Sequence, residues 1–366
     1  MSCFTQNLSQ TKYGEAEYKH YYQHVEIYIR KYMSIINSAK AKVKDELRGL
    51  HNAVAKAALP FLPDKSGQVY DCFLFNNELE ILRLRLQELD SCVHKFVICE
   101  CASTFTGAEK PLYYQVNKDL FSRFEHKIIH YVIETPPLEA YVVNPANANK
   151  KTSQFWQRNQ MANALREAKN NDFVMVSDVD EIPKTRAVSK AKKYCHYINS
   201  VVFFKQDWYL LFLNIRVVRS AKSVFAFNQK KDRKSNDKWL GTFASSAKTL
   251  RSSYNSNLNM IWSYKWGSHK LRHPIISNAG WHFSYMGGIK GLSSKVKSNG
   301  LREYSMLDLD DIKSGFFIGS KLTIEQINDS HPLQLQLHPD SWSNLITKCT
   351  SFSELASVAE QSLSIK

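Results

Sequence analysis

Alternation between short apolar strands and amphipathic helices is the feature of this sequence that most constrains its fold. The pattern starts at Val69 and predicts four strands, Val69–Phe75, Lys95–Cys101, Lys127–Ile133 and Phe173–Ser177, and two helices, Glu78–Leu89 and Gln154–Ala168. A strand–helix–strand order pairs its strands in parallel and lays the helices on the sheet. We therefore predict an α/β fold with a mostly parallel, mixed sheet that is flanked by helices.

Polar side chains stand at the ends of three of these predicted strands. Asn76 follows the first strand, Glu100 lies near the end of the second, and Asp178 follows the fourth. In open α/β sheets, ligands bind at the carboxyl ends of the parallel strands. We therefore expect these three residues to lie at one edge of the sheet, where they would form part of a binding site.

The fourth strand stops abruptly in the acidic motif Asp178-Val179-Asp180-Glu181. Carboxylates two residues apart at a strand end can reach one divalent ion together. Mg²⁺ and Mn²⁺ prefer oxygen ligands and usually complete their shell with substrate phosphates. The motif therefore predicts a metal site at Asp178 and Asp180. The competing interpretation is a solvated acidic turn that precedes the next helix at Pro183.

The length and composition of the chain indicate a globular protein with a substantial core. It has 366 residues, of which 43% are hydrophobic, and this is enough for one large or two medium domains. Residues 12–58 carry apolar side chains at helical spacing and end before Pro60 and Pro63. We predict a helical extension at residues 1–65, a main domain at 66–320 and a C-terminal helical tail at 321–366.

Hydropathy and cysteine content predict a cytoplasmic protein. The sequence has no uninterrupted apolar run of about 18 residues, and its first ten residues lack the order of a signal peptide. Peripheral contact of the N-terminal helices with a membrane is one possible role for them. The seven cysteines are odd in number and lie mostly in apolar segments, so we expect reduced thiols.

Positive charge is concentrated in one part of the chain. The formal net charge is +15, and residues 238–302 contain ten Lys or Arg and no Asp or Glu. This asymmetry indicates an anionic partner, such as the phosphates of a ligand, an acidic glycan, a membrane surface or nucleic acid; the alternative is a solvated basic face. A catalytic carboxylate cannot come from this stretch.

Five sequence blocks, in this order, resemble those of glycosyltransferase family 17, the β-1,4-mannosyl-glycoprotein 4-β-N-acetylglucosaminyltransferases. The blocks are Tyr70-Asp71-Cys72-Phe73 with Phe75-Asn76-Asn77-Glu78-Leu79, Thr104-Phe105-Thr106-Gly107 with Lys110-Pro111-Leu112, Gln157-Arg158-Asn159, Ser177-Asp178-Val179-Asp180-Glu181-Ile182-Pro183 and Ala279-Gly280-Trp281-His282-Phe283-Ser284. The resemblance covers roughly residues 69–315. It implies a GT-A nucleotide-sugar fold, a UDP-sugar donor, a divalent metal and inversion at the anomeric carbon.

The resemblance also implies roles for the acidic motif. A UDP leaving group needs its diphosphate charge neutralised by a metal and by positive side chains. In GT-A enzymes the last Asp of the motif binds the ion and the first tends to face the ribose, so Asp180 and Asp178 are the predicted metal and ribose ligands. His282 is the predicted third contact to the metal or the diphosphate, with a buried structural histidine as the alternative.

Further nucleotide contacts are predicted on the strands and helices around the motif. The guanidinium of Arg158 could fork onto diphosphate oxygens, although a salt bridge is the alternative. Glu100 could accept hydrogen bonds from the uridine. Asn76 and Glu78 open the first helix, so helix capping competes with nucleotide contact there.

An inverting transfer needs a general base that takes the proton of the acceptor hydroxyl. The acid-free stretch narrows the choice in the second half of the chain to Asp207, Asp232, Asp237 and Glu303. Asp207 precedes Trp208, an aromatic residue suited to stacking on a sugar, and Glu303 matches a carboxylate of the family. The sequence leaves both as candidates.

Two other functions are compatible with parts of the sequence. In a haloacid-dehalogenase-like phosphatase a strand also ends in DxD, but on the first strand of the domain, whereas here the motif comes about 110 residues into the domain. A basic nucleic-acid-binding protein would use Lys and Arg interleaved with Trp239, Trp262, Tyr264 and Trp266. We favour the transferase, which requires a UDP-sugar, a glycan acceptor and no specific nucleic acid.

Overall fold

The computed structural model describes residues 67–137, 140, 152–198, 200–219, 238–265, 273–288, 309–317 and 320–364 of the chain. The predicted helical extension at residues 1–65 lies outside these ranges. So does the candidate base Glu303. The division of the chain into three domains stays a prediction.

Strands of the described ranges join in one sheet of twelve. They are β1 (Val69–Phe75), β2 (Lys95–Cys101), β3 (Ile128–Ile133), β4 (Phe173–Asp178), β5 (Glu181–Pro183), β6 (Val202–Leu210), β7 (Ile215–Arg219), β8 (Lys238–Ser246), β9 (Ile275–Ile276), β10 (Gly280–Ser284), β11 (Phe316–Phe317) and β12 (Ser320–Ile324). Their order is β11-β12-β7-β6-β8-β4-β1-β2-β3, with β10 pairing β5 and β6, and β9 pairing β6.

Helices connect and cover these strands. Those described are α1 (Leu79–Leu89), α2 (Tyr113–Val116), α3 (Thr152–Ala164), α4 (Thr185–Ile198), α5 (Ala247–Tyr254), α6 (Leu258–Ser263), α7 (Leu309–Lys313), α8 (Leu333–Leu337), α9 (Phe352–Ser364) and two 3₁₀ helices, Lys118–Lys127 and Pro339–Trp342. None of the described helices is both long and apolar enough to cross a bilayer.

The sheet has a parallel half and an antiparallel half. Strands β3, β2, β1 and β4 are parallel, while β8 pairs antiparallel with both β4 and β6. The predicted mixed α/β fold with flanking helices is thereby confirmed. Helical repeats of apolar residues and short apolar runs, both local patterns, were sufficient to predict the parallel half.

Each face of the parallel half has its own hydrophobic core, because side chains alternate along each strand. On one face, Phe73 and Phe75 of β1 pack with Leu82 of α1. On the other face, Cys72 and Leu74 pack with residues of α3, α5 and α6. Helices therefore cover both faces, as predicted, and only the strand ends are left to form a site.

Several strand ends of the antiparallel half meet the carboxyl ends of the parallel strands at one edge. Strand β6 runs in the same direction as β4, because both pair antiparallel with β8, and β10 is parallel to β6. The carboxyl ends of β4, β6 and β10 and the amino end of β8 consequently lie at the same edge. This topology gathers residues that are far apart in the sequence.

Two segments differ from the sequence-based expectation. The sequence predicts two separate strands, at residues 201–204 and 209–214. The structure instead has one strand, β6, from Val202 to Leu210, because the polar residues between the two segments are paired within the sheet, and residues 211–214 form a turn. Gln206, for example, is fully buried and donates to the backbone oxygen of Trp281. In the C-terminal part, expected to be helical and peripheral, β12 pairs with β7 and Trp342 is almost completely buried.

The cysteines of the described ranges are free thiols. Cys72, Cys99, Cys101 and Cys195 are buried, and Cys92 and Cys349 are half-buried. Burial raises the pKa of Cys92 to about 11, which keeps it protonated at neutral pH. The expectation of reduced, mostly buried thiols is confirmed for these residues.

His331 provides a test of the pH dependence of stability. Its side chain is buried against the ring of Tyr209, and burial lowers its pKa from 6.5, while the nearby Glu325 opposes the shift. The unfolded state therefore binds a proton at His331 before the folded state does as the pH falls. We expect stability to fall below about pH 6.5.

The loss of stability between pH 7 and pH 5 should be smaller in His331→Asn than in the wild type. The measurement is the free energy of unfolding in urea at each pH. His338→Asn, at an exposed position, is the matched control and should retain the wild-type slope. An identical pH dependence in His331→Asn and the wild type would contradict the assignment.

Candidate active site

The acidic motif forms a turn between β4 and β5 at the edge of the sheet. Its backbone is held from two sides: the Val179 N–H donates to the oxygen of Leu74 on β1 at 3.1 Å, and the Phe283 N–H of β10 donates to the oxygen of Asp180 at 2.8 Å. These bonds fix the turn between the central parallel strand and β10. The three carboxylates therefore start from a rigid backbone.

The structure brings Asp180 and His282 together. Asp180 Oδ1 lies 3.6 Å from His282 Nε2, and both side chains are nearly buried. His282 pairs in register with Glu181 on β5 and with Trp208 on β6. Its imidazole stacks on the ring of Trp239, with centroids 4.4 Å apart, and its Nε2 lies 2.8 Å from the hydroxyl of Ser284. The imidazole is thus held in place beside a carboxylate.

Asp178 is paired with Arg158 of α3. Arg158 Nη2 donates to Asp178 Oδ1 at 2.9 Å, and the guanidinium lies over the ring of Trp262 at 4.3 Å. The Arg158 side chain is 1% exposed, while that of Asp178 is 32% exposed. Buried Nη1 of Arg158 has no hydrogen-bond partner among the described residues. The salt bridge that was the alternative to a diphosphate contact is present, and the guanidinium keeps additional donor capacity.

Glu181 is the buried centre of a polar network. Its Oε1 accepts from Trp239 Nε1 at 2.6 Å and lies 3.5 Å from Lys265 Nζ, while the Asp178 N–H donates to Oε2 at 3.3 Å. Burial raises the pKa of Glu181, and the Lys265 charge opposes this. Burial lowers the pKa of Lys265, with Glu181 acting in the opposite direction. Glu181 therefore positions Trp239 and the motif backbone.

Sequence comparison identifies the family. A family model described as glycosyltransferase family 17 matches residues 45–237, which is more than half of the chain. The chain belongs to glycosyltransferase family 17. No curated protein matches the chain.

Among solved structures, the inositol-1-phosphate CTP transferase from T. maritima is 11% identical, with a TM-score of 0.30, and the alignment covers 64% of this chain and 94% of that chain. A similarity of this size carries no conclusion about fold or function.

Membership in glycosyltransferase family 17 supports a transferase activity, with a donor substrate that provides a glycosyl group and an acceptor that receives it. The matched region contains Arg158 and the acidic motif, whereas Lys265 and His282 lie beyond it. These two parts of the chain meet in space. The ion pair of Glu181 with Lys265 and the contact of Asp180 with His282 connect them.

The acidic cluster fits a metal ion that is shared with a substrate. Within the described residues, no three His, Cys, Asp or Glu side chains form a metal site by themselves. Mg²⁺ and Mn²⁺ in nucleotide sites, however, are usually held by one or two carboxylates and by substrate phosphates. Asp180 and His282 provide a carboxylate and an imidazole, while Asp178 Oδ1 is already bonded to Arg158. The predicted metal ligands Asp178, Asp180 and His282 stay predictions.

Glu78 is the N-cap residue of α1, but its side chain makes no capping bond to the helix. Its carboxylate accepts from the backbone N–H groups of Asn76 and Asn77, at 3.3 and 3.1 Å. These bonds shape the turn between β1 and α1, at the edge of the sheet where the parallel strands have their carboxyl ends. The predicted nucleotide contacts of Asn76 and Glu78 stay predictions.

Glu100 lies in a closed network of its own. Its carboxylate is completely buried and contacts the Tyr114 N–H at 3.2 Å, His130 Nε2 at 3.2 Å and Lys110 Nζ at 3.4 Å. These partners satisfy a buried charge, which would otherwise be costly. Direct contact with uridine would require Glu100 to exchange some of these partners, and the predicted contact stays a prediction.

The candidate base Asp207 is not part of the cluster. Asp207 and Trp208 are neighbours on β6, so their side chains leave opposite faces of the sheet. Trp208 lies on the face of His282, with ring planes 18° apart, whereas Asp207 pairs with Lys238. The role of Asp207 as a general base stays a prediction. Glu303 lies outside the described residues, so its role stays a prediction.

Sequence reasoning missed three residues that organise the site, Lys265, Trp239 and Arg85. Lys265 and Trp239 belong to the basic, Trp-containing stretch, which was assigned to an anionic partner or to nucleic acid. Their partner is instead Glu181. Arg85 had a detectable signal, because it occurs three residues after Leu82 on the apolar side of α1 and is completely buried. A charged residue at a core position of a helix indicates a buried ionic partner.

Proposed function

We propose that this member of glycosyltransferase family 17 is an inverting, metal-dependent enzyme of the GT-A type that transfers a sugar from a UDP-sugar to a hydroxyl group of a glycan. The donor we propose is UDP-N-acetylglucosamine. The main support is a pair of contacts at the carboxyl edge of the sheet: Asp180 with His282, and Asp178 with the buried guanidinium of Arg158.

Charge at this edge suits a diphosphate. A departing UDP carries negative charge, which has to be stabilised by groups already in place. Arg158 is held by Asp178 and Trp262, and its Nη1 is directed to no described acceptor. We assign Arg158 to the diphosphate. We assign Asp178 to the ribose, because its side chain is partly exposed and a ligand can reach it.

Asp180 and His282 would hold the metal ion. When bound, a divalent ion would neutralise the diphosphate and make it a better leaving group. The protein's own contribution is to hold these two ligands in position: Ser284 contacts the imidazole, Trp239 stacks against it, and Glu181 fixes Trp239 through its indole N–H. Little reorganisation would then be needed when the donor binds.

The proposals about the acceptor and the general base are based on family membership rather than on contacts of the described residues. Inversion requires a base on the face of the sugar opposite the leaving UDP. We propose Glu303 for this role in preference to Asp207, which pairs with Lys238 on the other face of the sheet; Asp232 and Asp237 lie outside the described residues. A glycan acceptor is proposed because family 17 supports glycosyl transfer to an acceptor.

A panel of UDP-sugars tests the proposal. The full chain is incubated with UDP-N-acetylglucosamine, UDP-N-acetylgalactosamine, UDP-glucose or UDP-galactose, each with Mn²⁺ or with EDTA, and UDP release is measured. We expect the highest release with UDP-N-acetylglucosamine and its loss in EDTA. GDP-mannose is the control for recognition of the nucleotide, and we expect no release of GDP from it.

Equal release with and without EDTA would contradict the metal assignment. No release or binding with any UDP-sugar, combined with salt-dependent binding of generic RNA, would favour the nucleic-acid alternative. That alternative receives no support from the geometry, because Trp239 and Trp262 are packed against His282 and Arg158.

A further inference from the structure

A buried arginine contacts the backbone of the acidic turn. Arg85 of α1 is 0% exposed, and its Nη1 lies within hydrogen-bond distance of three backbone oxygens of the motif: those of Asp178 at 3.1 Å, Val179 at 3.1 Å and Glu181 at 2.9 Å. Its Nη2 also donates to the hydroxyl of Ser177 at 2.7 Å. One side chain therefore contacts four of the five residues from Ser177 to Glu181.

The counterion of Arg85 comes from the central strand. Asp71 on β1 receives a two-pronged contact, from Arg85 Nε at 2.8 Å and from Nη2 at 2.6 Å, and both side chains are completely buried. A planar guanidinium forms such a fork, which fixes its orientation. Because Asp71 also lies in β1, which pairs with β4, the guanidinium is fixed relative to the strand that ends in the motif.

The contacts have a direct consequence for the turn. Buried carbonyl groups need hydrogen-bond donors, and a turn at the end of a strand has lost those of the sheet. Arg85 supplies them from one side, so that the carbonyl groups of Asp178, Val179 and Glu181 converge on one point. The peptide orientations in this turn are set accordingly, and with them the starting directions of the Asp178 and Asp180 side chains.

We propose that Arg85, held by Asp71, is a positioning residue that sets the conformation of the acidic turn for metal and nucleotide binding. This rests on the proposed function, because the quantity that Arg85 acts on is the affinity of the turn for a metal–UDP pair. Arg85 itself is completely buried and does not touch the substrate. Its action is through the backbone of Asp178 to Glu181.

Two variants separate this role from a role in folding alone. Arg85→Lys keeps the positive charge, but a single ammonium group cannot contact Asp71, Ser177 and three carbonyl groups together. The double variant Asp71→Leu/Arg85→Met removes both charges at once, a replacement that proteins often tolerate. Arg216→Lys is the matched control, since Arg216 also forms an ion pair, with Glu325 at 2.6 Å, away from the motif.

The measurements are Mn²⁺-dependent UDP affinity by calorimetry, urea unfolding, and hydrogen exchange of the peptide that contains residues 173–183. In Arg85→Lys we expect UDP affinity to fall at least tenfold and exchange at Asp178 to Glu181 to accelerate, while the protein remains folded. Arg216→Lys should retain wild-type affinity and exchange. The double variant should be folded and weaker in UDP binding than Arg85→Lys.

Each result has a defined meaning. Wild-type protein that does not bind UDP with Mn²⁺ would overturn the proposed function and this inference with it. Wild-type binding together with unchanged affinity in folded Arg85→Lys would overturn the inference alone. If neither variant folds, Arg85 is a requirement for folding, and the inference is overturned as well.

Discussion

Asp180→Asn is expected to abolish Mn²⁺-dependent UDP release, with a loss of at least about 100-fold, because electrostatic groups that stabilise a leaving group contribute this much or more. Asparagine preserves the size of the side chain but removes the charge that would bind a divalent ion. Asp180 is nearly buried next to His282, so no exposed carboxylate can replace it easily. UDP release from UDP-N-acetylglucosamine is the measurement, over a range of Mn²⁺ concentrations.

Asp119→Asn is the matched control, because Asp119 is exposed and belongs to a 3₁₀ helix outside the cluster. This variant should keep wild-type release. Thermal melting of Asp180→Asn shows whether the protein is folded at the assay temperature. If the Asp180→Asn protein is folded and releases UDP at the wild-type rate, Asp180 is not a metal ligand.

Glu181→Gln is expected to destabilise the fold by about 3–5 kcal/mol, because it leaves one member of a buried ion pair without its partner. Lys265 is completely buried, and glutamine offers it no negative charge. The amide can still accept from Trp239, so the effect is mainly electrostatic. Urea unfolding at pH 7 measures the loss of free energy.

The pH dependence of this variant adds a second observable. Burial lowers the pKa of Lys265 below 10.5, so the folded state releases this proton at a lower pH than the unfolded state does. The unfolded state then binds more protons, and stability rises with pH. In Glu181→Gln the Glu181 charge no longer opposes this shift, so stability rises more steeply with pH than in the wild type. The loss of unfolding free energy caused by Glu181→Gln should therefore be smaller at pH 9.5 than at pH 7.

The double variant Glu181→Gln/Lys265→Met should recover much of the lost stability, because it removes the uncompensated charge. Glu360→Gln is the control: Glu360 pairs with Lys313 at 3.0 Å, but both side chains are exposed, so the change should cost less than about 1 kcal/mol. A loss below about 1 kcal/mol in Glu181→Gln would show that the pair contributes little, in conflict with its burial.

These two expectations separate the carboxylates of one short motif. Asp180 faces His282 and is proposed to act on the substrate through a metal, whereas Glu181 bonds to Trp239 and Lys265 and maintains the site. Loss of activity without loss of stability is expected for the first, and loss of stability for the second. The sequence Asp-Val-Asp-Glu alone does not distinguish them.

Much of the parallel half of the fold was predictable from local patterns. Strand β1 was predicted with its observed bounds, because an apolar run between turn residues has few other interpretations. The strands of the antiparallel half were harder to predict. Strand β6 carries Lys205, Gln206 and Asp207 in its middle, and only pairing on both sides explains why such polar residues lie within a strand.

The position of the candidate site was predictable, whereas the partners of its residues were not. Asp178 was placed correctly at the carboxyl edge, because parallel strands end there together. Glu100 was placed at the same edge, but its side chain turns to Tyr114 and His130. Side-chain direction depends on the packing of segments that the strand pattern does not describe.

From the sequence alone came the alternating α/β order, the acidic end of β4 and the resemblance to glycosyltransferase family 17, because each is written in consecutive or regularly spaced residues. Tertiary structure decided which charges meet: Arg158 with Asp178, Lys265 with Glu181, and Asp71 with Arg85. It also decided that Asp207 faces away from His282. Such pairs depend on strand register and helix packing between distant segments, and these are set by the whole core rather than by any local pattern.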